Sequence, residues 1–239
     1  MEVVLISFAA FFATLIGGSF ALKFRDQLHL ILGFSAGAVV GVALFDLLPE
    51  AISLGGQYHS ASTIALFIAI GLFAYLVLDR VILLHMHDEE EDEHAHRGGF
   101  GAITLAAHSF LDGIAIGVGF QASAAIGLVV TAAVLTHDFS DGINTVNVVL
   151  RSGASWRGAL RWLFVDASAP VLGAASTLLF RIPESTLGLV LAVFVGTFLY
   201  LGASDLIPES HHRHPRVLTT CMTLLGAIVL YVVVNLAGG

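Results

Sequence analysis

Eight apolar stretches decide what this chain can be: residues 3–22, 28–48, 62–84, 100–120, 124–150, 161–180, 185–207 and 217–236. A helix needs about 20 residues to cross the roughly 30 Å hydrocarbon core of a bilayer. Inside lipid, only helices and closed barrels satisfy their own backbone groups. The reading is an all-α membrane protein with eight transmembrane helices, expected as one integral membrane domain over residues 1–239. Composition agrees, at 57% hydrophobic against roughly 45 to 50% for soluble domains. Glu2, with no basic residue ahead of the first run, speaks against a cleaved signal peptide. The lone Cys221 excludes an intrachain disulfide or a Cys-rich metal site.

Two of the runs are interrupted by acids. His108-Ser-Phe-Leu-Asp-Gly113 and His137-Asp-Phe-Ser-Asp-Gly142 share His, Phe, Asp and Gly in one register. His and Asp four residues apart stack on one face of a helix, so each helix offers an imidazole and a carboxylate to a common point. The runs meet at a short turn near residues 121–124, which makes them antiparallel neighbours. At 1.5 Å per residue the two sites differ in depth by roughly 5 Å, which sets His108 level with Asp141 and Asp112 level with His137. Ionised and unpaired, Asp112, Asp138 and Asp141 would together cost on the order of 8 to 10 kcal/mol at mid-membrane. A divalent cation offsets that cost, since imidazole and carboxylate suit zinc, iron and manganese.

The paired motifs resemble the fourth and fifth transmembrane helices of the ZIP (ZRT/IRT-like) family, which imports zinc and related divalent metals into the cytoplasm. That family carries His-x-x-x-Asp/Glu-Gly on both helices, and the acid-Gly pairs here are Asp112-Gly113 and Asp141-Gly142. Where many members have Pro before the acid, this chain has Leu111 and Ser140. The first metal centre is then His108, Asp112, His137 and Asp141. The resemblance further implies a second centre, bridged by Asp112 and Asp141 and completed by Ser109, Asp138 and Asp166. Asp166 is the one acid of the sixth span and stands one turn before Pro170, which is expected to open the backbone there.

The remaining polar groups outline a route. The second and seventh spans close on Asp46-Leu-Leu-Pro-Glu50 and Asp205-Leu-Ile-Pro-Glu209. These copies enter the membrane from opposite sides, the mark of an inverted repeat relating helices 1–3 to helices 6–8 around the central helix 4/5 pair. Taken alone, either Pro-Glu would read as a helix terminator. Asp46 is expected to attract the cation, Asn144 and Asn147 to line its exit, and Asp205, Glu209 and His212 to receive it. Between the third and fourth spans lies the one strongly hydrophilic segment, residues 85–96, with the consecutive acids Asp88 to Glu93. Its His85, His87, His94 and His96 are either part of a solvated, mobile loop or a metal buffer at the pathway mouth. The resemblance favours the buffer, because His-rich loops stand at this place in many ZIP proteins.

Orientation follows from charge. With the N-terminus outside, nine of the ten basic residues flank cytoplasmic connections and only Arg181 does not. The positive-inside rule therefore puts both termini outside, in what is expected to be a prokaryotic inner membrane. The expected partners are the lipid bilayer and one or two zinc or other divalent ions as substrate, with no cofactor and no nucleic acid; a homodimer is left open. The rival reading is an intramembrane zinc-dependent hydrolase, which needs a general acid or base beside an open metal position. Neither His-Glu-x-x-His nor Gly-x-Ser-x-Gly occurs. A metal-sensing receptor would need a signalling domain, for which these spans leave no expected room.

Overall fold

Apolar runs of this length can satisfy their backbone only within themselves. The computed structural model describes residues 2–20, 28–87, 94–212 and 217–237, and every regular element among them is helical. In order these are α1 (Glu2–Phe20), α2 (Leu28–Val42), a π turn (Ala43–Leu47), α3 (Leu48–Gly55), α4 (Ala61–His87), α5 (His94–Ala122) and α6 (Ala124–Arg151). There follow α7 (Trp156–Ser176), a 3-10 turn (Thr177–Leu179), α8 (Glu184–Tyr200), a second π turn (Leu201–Leu206), α9 (Ile207–His212) and α10 (Val217–Ala237). Eight segments are long and apolar enough to cross a membrane among the described residues, with α2 and α3 forming one span and α8 with the start of the second π turn forming another. Large apolar side chains face outward where lipid would lie, for example Leu66, Phe73 and Val77 on α4 and Leu224, Ile228 and Leu236 on α10. Within the α6 span 71% of residues are buried, against 11% in α4 and 17% in α10.

Several boundaries differ from expectation. α4 reaches His87 and α5 begins at His94, so the backbone of the four loop histidines is helical, although their side chains and residues 88–93 lie outside the described residues. The sixth span starts at Trp156, where Ser155 caps α7 by accepting the Gly158 N–H at 3.2 Å. It runs through Pro170 as α-helix, although proline removes the N–H that the Asp166 carbonyl would otherwise accept.

Contacts divide the chain into two compact units. The first comprises Met1–Arg25, Leu78–Gly117 and Asp138–Leu179. Here glycine lets helix backbones touch, as in many membrane bundles. A Cβ on Gly113 would fall on the Pro170 carbonyl and one on Gly173 on that of Phe110, which brings α5 against α7. Likewise a Cβ on Gly142 would fall on the Thr14 carbonyl, and one on Gly17 on that of Phe139, bringing α6 against α1. The glycine of each acid-Gly pair is thus where a neighbouring helix rests, and the acid before it is turned inward and buried.

The second unit comprises Asp26–Val77, Val118–His137 and Phe180–Gly239. Both Asp-Leu-x-Pro-Glu segments take the same local form there. Neither proline ends its helix. Instead the residue before each donates five residues back, Leu48 to Ala43 and Ile207 to Gly202, and the α-helix resumes. A π turn absorbs the break that a missing proline N–H creates. The packing around them also matches. Gly37 rests on the Thr223 carbonyl as Gly196 does on that of Ile68, and Gly226 on Phe34 as Gly71 does on Val193. Gly37 and Gly196 stand at equal distances ahead of Asp46 and Asp205, as do Phe34 and Val193.

Gln121, at the end of α5, clamps the α7–α8 link in this unit. Its amide donates to the Phe180 carbonyl at 3.1 Å and its carbonyl accepts the Ile182 N–H at 2.9 Å. Gln121→Leu loses both bonds at a partly exposed site. It is expected to lower stability by about 1 to 2 kcal/mol, read as a lower melting temperature of the detergent-solubilised protein.

Candidate metal centre

The site lies mid-helix on α5 and α6, where each helix turns one polar face away from the apolar surface. His108 Nε2 lies 3.2 Å from Asp112 Oδ2, one turn on along α5, and 3.9 Å from Asp141 Oδ2 on α6. The second distance matches the level pairing expected from the antiparallel register. His137 is where the second unit's part of α6 stops, but the helix continues unbroken, so His137 stands one turn before Asp141 on the same face. One donor atom from each of His108, Asp112, His137 and Asp141 lies within 4.8 Å of the other three, and all four residues are buried. Two nitrogens and carboxylate oxygens at such spacing can close on one divalent cation with modest adjustment.

The surroundings set the orientation of the His137 ring. His137 Nδ1 lies 3.0 Å from the Ala133 carbonyl, and its ring meets Phe198 edge-on, with centroids 6.4 Å apart. A proton on Nδ1, donated to that carbonyl, leaves the Nε2 lone pair for a cation.

Asp166 is fully buried on α7 and receives two hydroxyls. Ser109 Oγ donates to its Oδ1 and Thr145 Oγ1 to its Oδ2, both at 2.7 Å. Thr145, one turn past Asp141, was not among the residues expected at the site; only its spacing from Asp141 hinted at it. Asp138 is likewise fully buried.

The expected pathway residues are less concentrated. Asn144 and Asn147 are half-buried on α6 beyond Asp141. Asp46 lies in the first π turn, and its buried Oδ2 has no hydrogen-bond partner among the described residues. The side chains of Asp205, Glu209 and His212 lie outside the described residues, though their backbone is helical through the second π turn and α9.

The eight helices fit to cross a bilayer among the described residues, with imidazoles and carboxylates gathered inside, define an integral membrane protein carrying a candidate metal site. Comparison with known proteins gives the family. The model of the ZIP zinc transporters matches residues 100–234, more than half of the chain, which belongs to that family. Zinc transporter ZIP13 of Pongo abelii is 26% identical over 224 residues, covering 88% of this chain and 67% of that protein. Zinc transporter zipt-7.1 of Caenorhabditis briggsae is 23% identical over 269 residues, covering 85% and 68%. Metal cation symporter ZIP8 of Rattus norvegicus is 33% identical over a shorter 109 residues, 45% of this chain and 23% of that protein. The chain is accordingly a divalent metal transporter and not an enzyme.

Proposed function

We propose that this protein moves zinc, and with it iron(II), manganese and cadmium, into the cytoplasm through a centre formed by His108, Asp112, His137 and Asp141. The observation that carries the reading is the burial of these four ligands within 4.8 Å of one another, inside helices whose outer faces are apolar. Acids so placed are costly without a positive guest, and the mixed nitrogen and oxygen donors favour no single member of that group of ions. Asp112 and Asp141 can each lend a second oxygen to a neighbouring ion, with Ser109, Asp138 and Asp166 closing that second position.

Entry is assigned to Asp46, whose unpartnered oxygen suits a passing cation. Departure runs past Asn144 and Asn147 to Asp205, Glu209 and His212, with His85, His87, His94 and His96 buffering the delivered metal. The charge count supports both termini outside, and the membrane is proposed to be the inner membrane of a prokaryotic cell. The matching π turns and glycine contacts of the second unit support the inverted repeat. Proteoliposomes test the reading. Externally added zinc is expected to accumulate inside, to be competed by Fe2+, Mn2+ and Cd2+, and to stop accumulating when His108 and His137 are both changed to Ala. Full uptake by that double variant would remove the site, and zinc export would reverse the direction.

A further inference from the structure

We propose that Thr145 is a positioning residue that fixes Asp166 for the second ion, an inference that rests on the function proposed above. Buried and half-buried hydroxyls on these helices mostly close on their own backbone one turn back. Thr14 donates to Ala10, Thr131 to Gly127, Thr197 to Val193 and Thr223 to Thr219, as is usual for helical Ser and Thr. Thr145 instead reaches across from α6 to α7 and gives its proton to Asp166 Oδ2 at 2.7 Å. Both residues are fully buried, so the bond is shielded from competing water.

Ser109 differs from Thr145 in one respect. Its Oγ lies 2.7 Å from Asp166 Oδ1 but also 3.1 Å from the Leu105 carbonyl on its own helix. A hydroxyl has one proton, and here that proton has two acceptors. When a cation arrives, Ser109 can turn its proton onto Leu105. That frees Oδ1 and points its own lone pair at the ion. Among the described residues Thr145 Oγ1 has no second acceptor. It keeps hold of Oδ2 throughout and so prevents the carboxylate from rotating as Oδ1 changes partner. In this division of labour Ser109 is the donor that lets go and Thr145 the one that does not.

The test counts zinc bound by the purified, detergent-solubilised full-length protein, using equilibrium dialysis and elemental analysis. The unchanged protein is expected to bind two ions. Thr145→Val keeps the first and weakens the second by about 10- to 100-fold, the usual cost of losing a group that orients a metal ligand. Thr145→Ser, which retains the donor, restores the second ion. A general packing defect would weaken both ions together and would not be rescued by serine. Equal second-ion affinity in Thr145→Val, failure of Thr145→Ser to restore it, or a single ion in the unchanged protein each overturns the inference. Failure of the underlying function reads differently: Asp141→Ala would then keep the first ion.

Discussion

Replacing Asp141 with Ala is expected to abolish metal uptake while leaving the fold as stable as before or more so. Asp141 is buried, and its Oδ2 lies 3.9 Å from His108 Nε2, so its loss removes one of the four donors of the proposed centre. Groups that merely orient a ligand cost about 10- to 100-fold in metal affinity when removed, and loss of a ligand should exceed that. Stability moves the other way, because a mid-membrane acid is penalised by roughly 2.5 to 3.5 kcal/mol, which alanine relieves. Asp112→Ala, 3.2 Å from the same imidazole, should behave alike. Two measurements on each variant decide the matter: zinc uptake by proteoliposomes and the melting temperature of the zinc-free protein. Undiminished uptake would count against the site. A lower melting temperature would mean that the acids hold the helices together and are not reserved for metal.

The opposite signs expected of these two effects explain why so much of the candidate site stands out in the sequence. An acid in an apolar run has no stabilising reason to be there, so Asp112 and Asp141 stand out, and helical spacing alone brings His108 and His137 onto their faces. The same contrast marked the eight spans. What stayed hidden carries no such contrast. A threonine in an apolar run reads the same whether it closes on its own helix, as Thr131 does, or crosses to another, as Thr145 does. Pro49 and Pro208 look like terminators because a proline lacks the N–H to continue a helix. Only three-dimensional packing decides that one extra residue in the turn lets the helix resume. Gln121 at the end of a span is indistinguishable from an interfacial residue until Phe180 and Ile182 are found beside it.

Gly113→Ala is expected to be as damaging to the fold as Asp141→Ala is to transport. The added Cβ would fall on the Pro170 carbonyl, which is backbone and cannot swing aside like a side chain, so α5 and α7 must separate. Overpacking of this kind costs about 1 to 3 kcal/mol where neighbours can yield, and here they yield least. Gly142→Ala meets the Thr14 carbonyl of α1 in the same way. Gly158 is the contrast. Its nearest neighbour would be Ser155 Oγ at 3.7 Å, an ordinary contact, so Gly158→Ala should gain about 0.4 to 1 kcal/mol by restricting the unfolded chain. Melting temperatures of the three variants in detergent are expected to fall, fall and rise. If Gly113→Ala melted with Gly158→Ala, the close approach of α5 and α7 would be wrong. Because Gly142 directly follows Asp141, a shift of α6 off α1 would also move that acid relative to His108, whereas Asp112 shares α5 with His108 and moves with it. Each acid-Gly pair thus joins two adjacent demands, a buried acid offered as a candidate ligand and a backbone bare enough for the next helix to rest on.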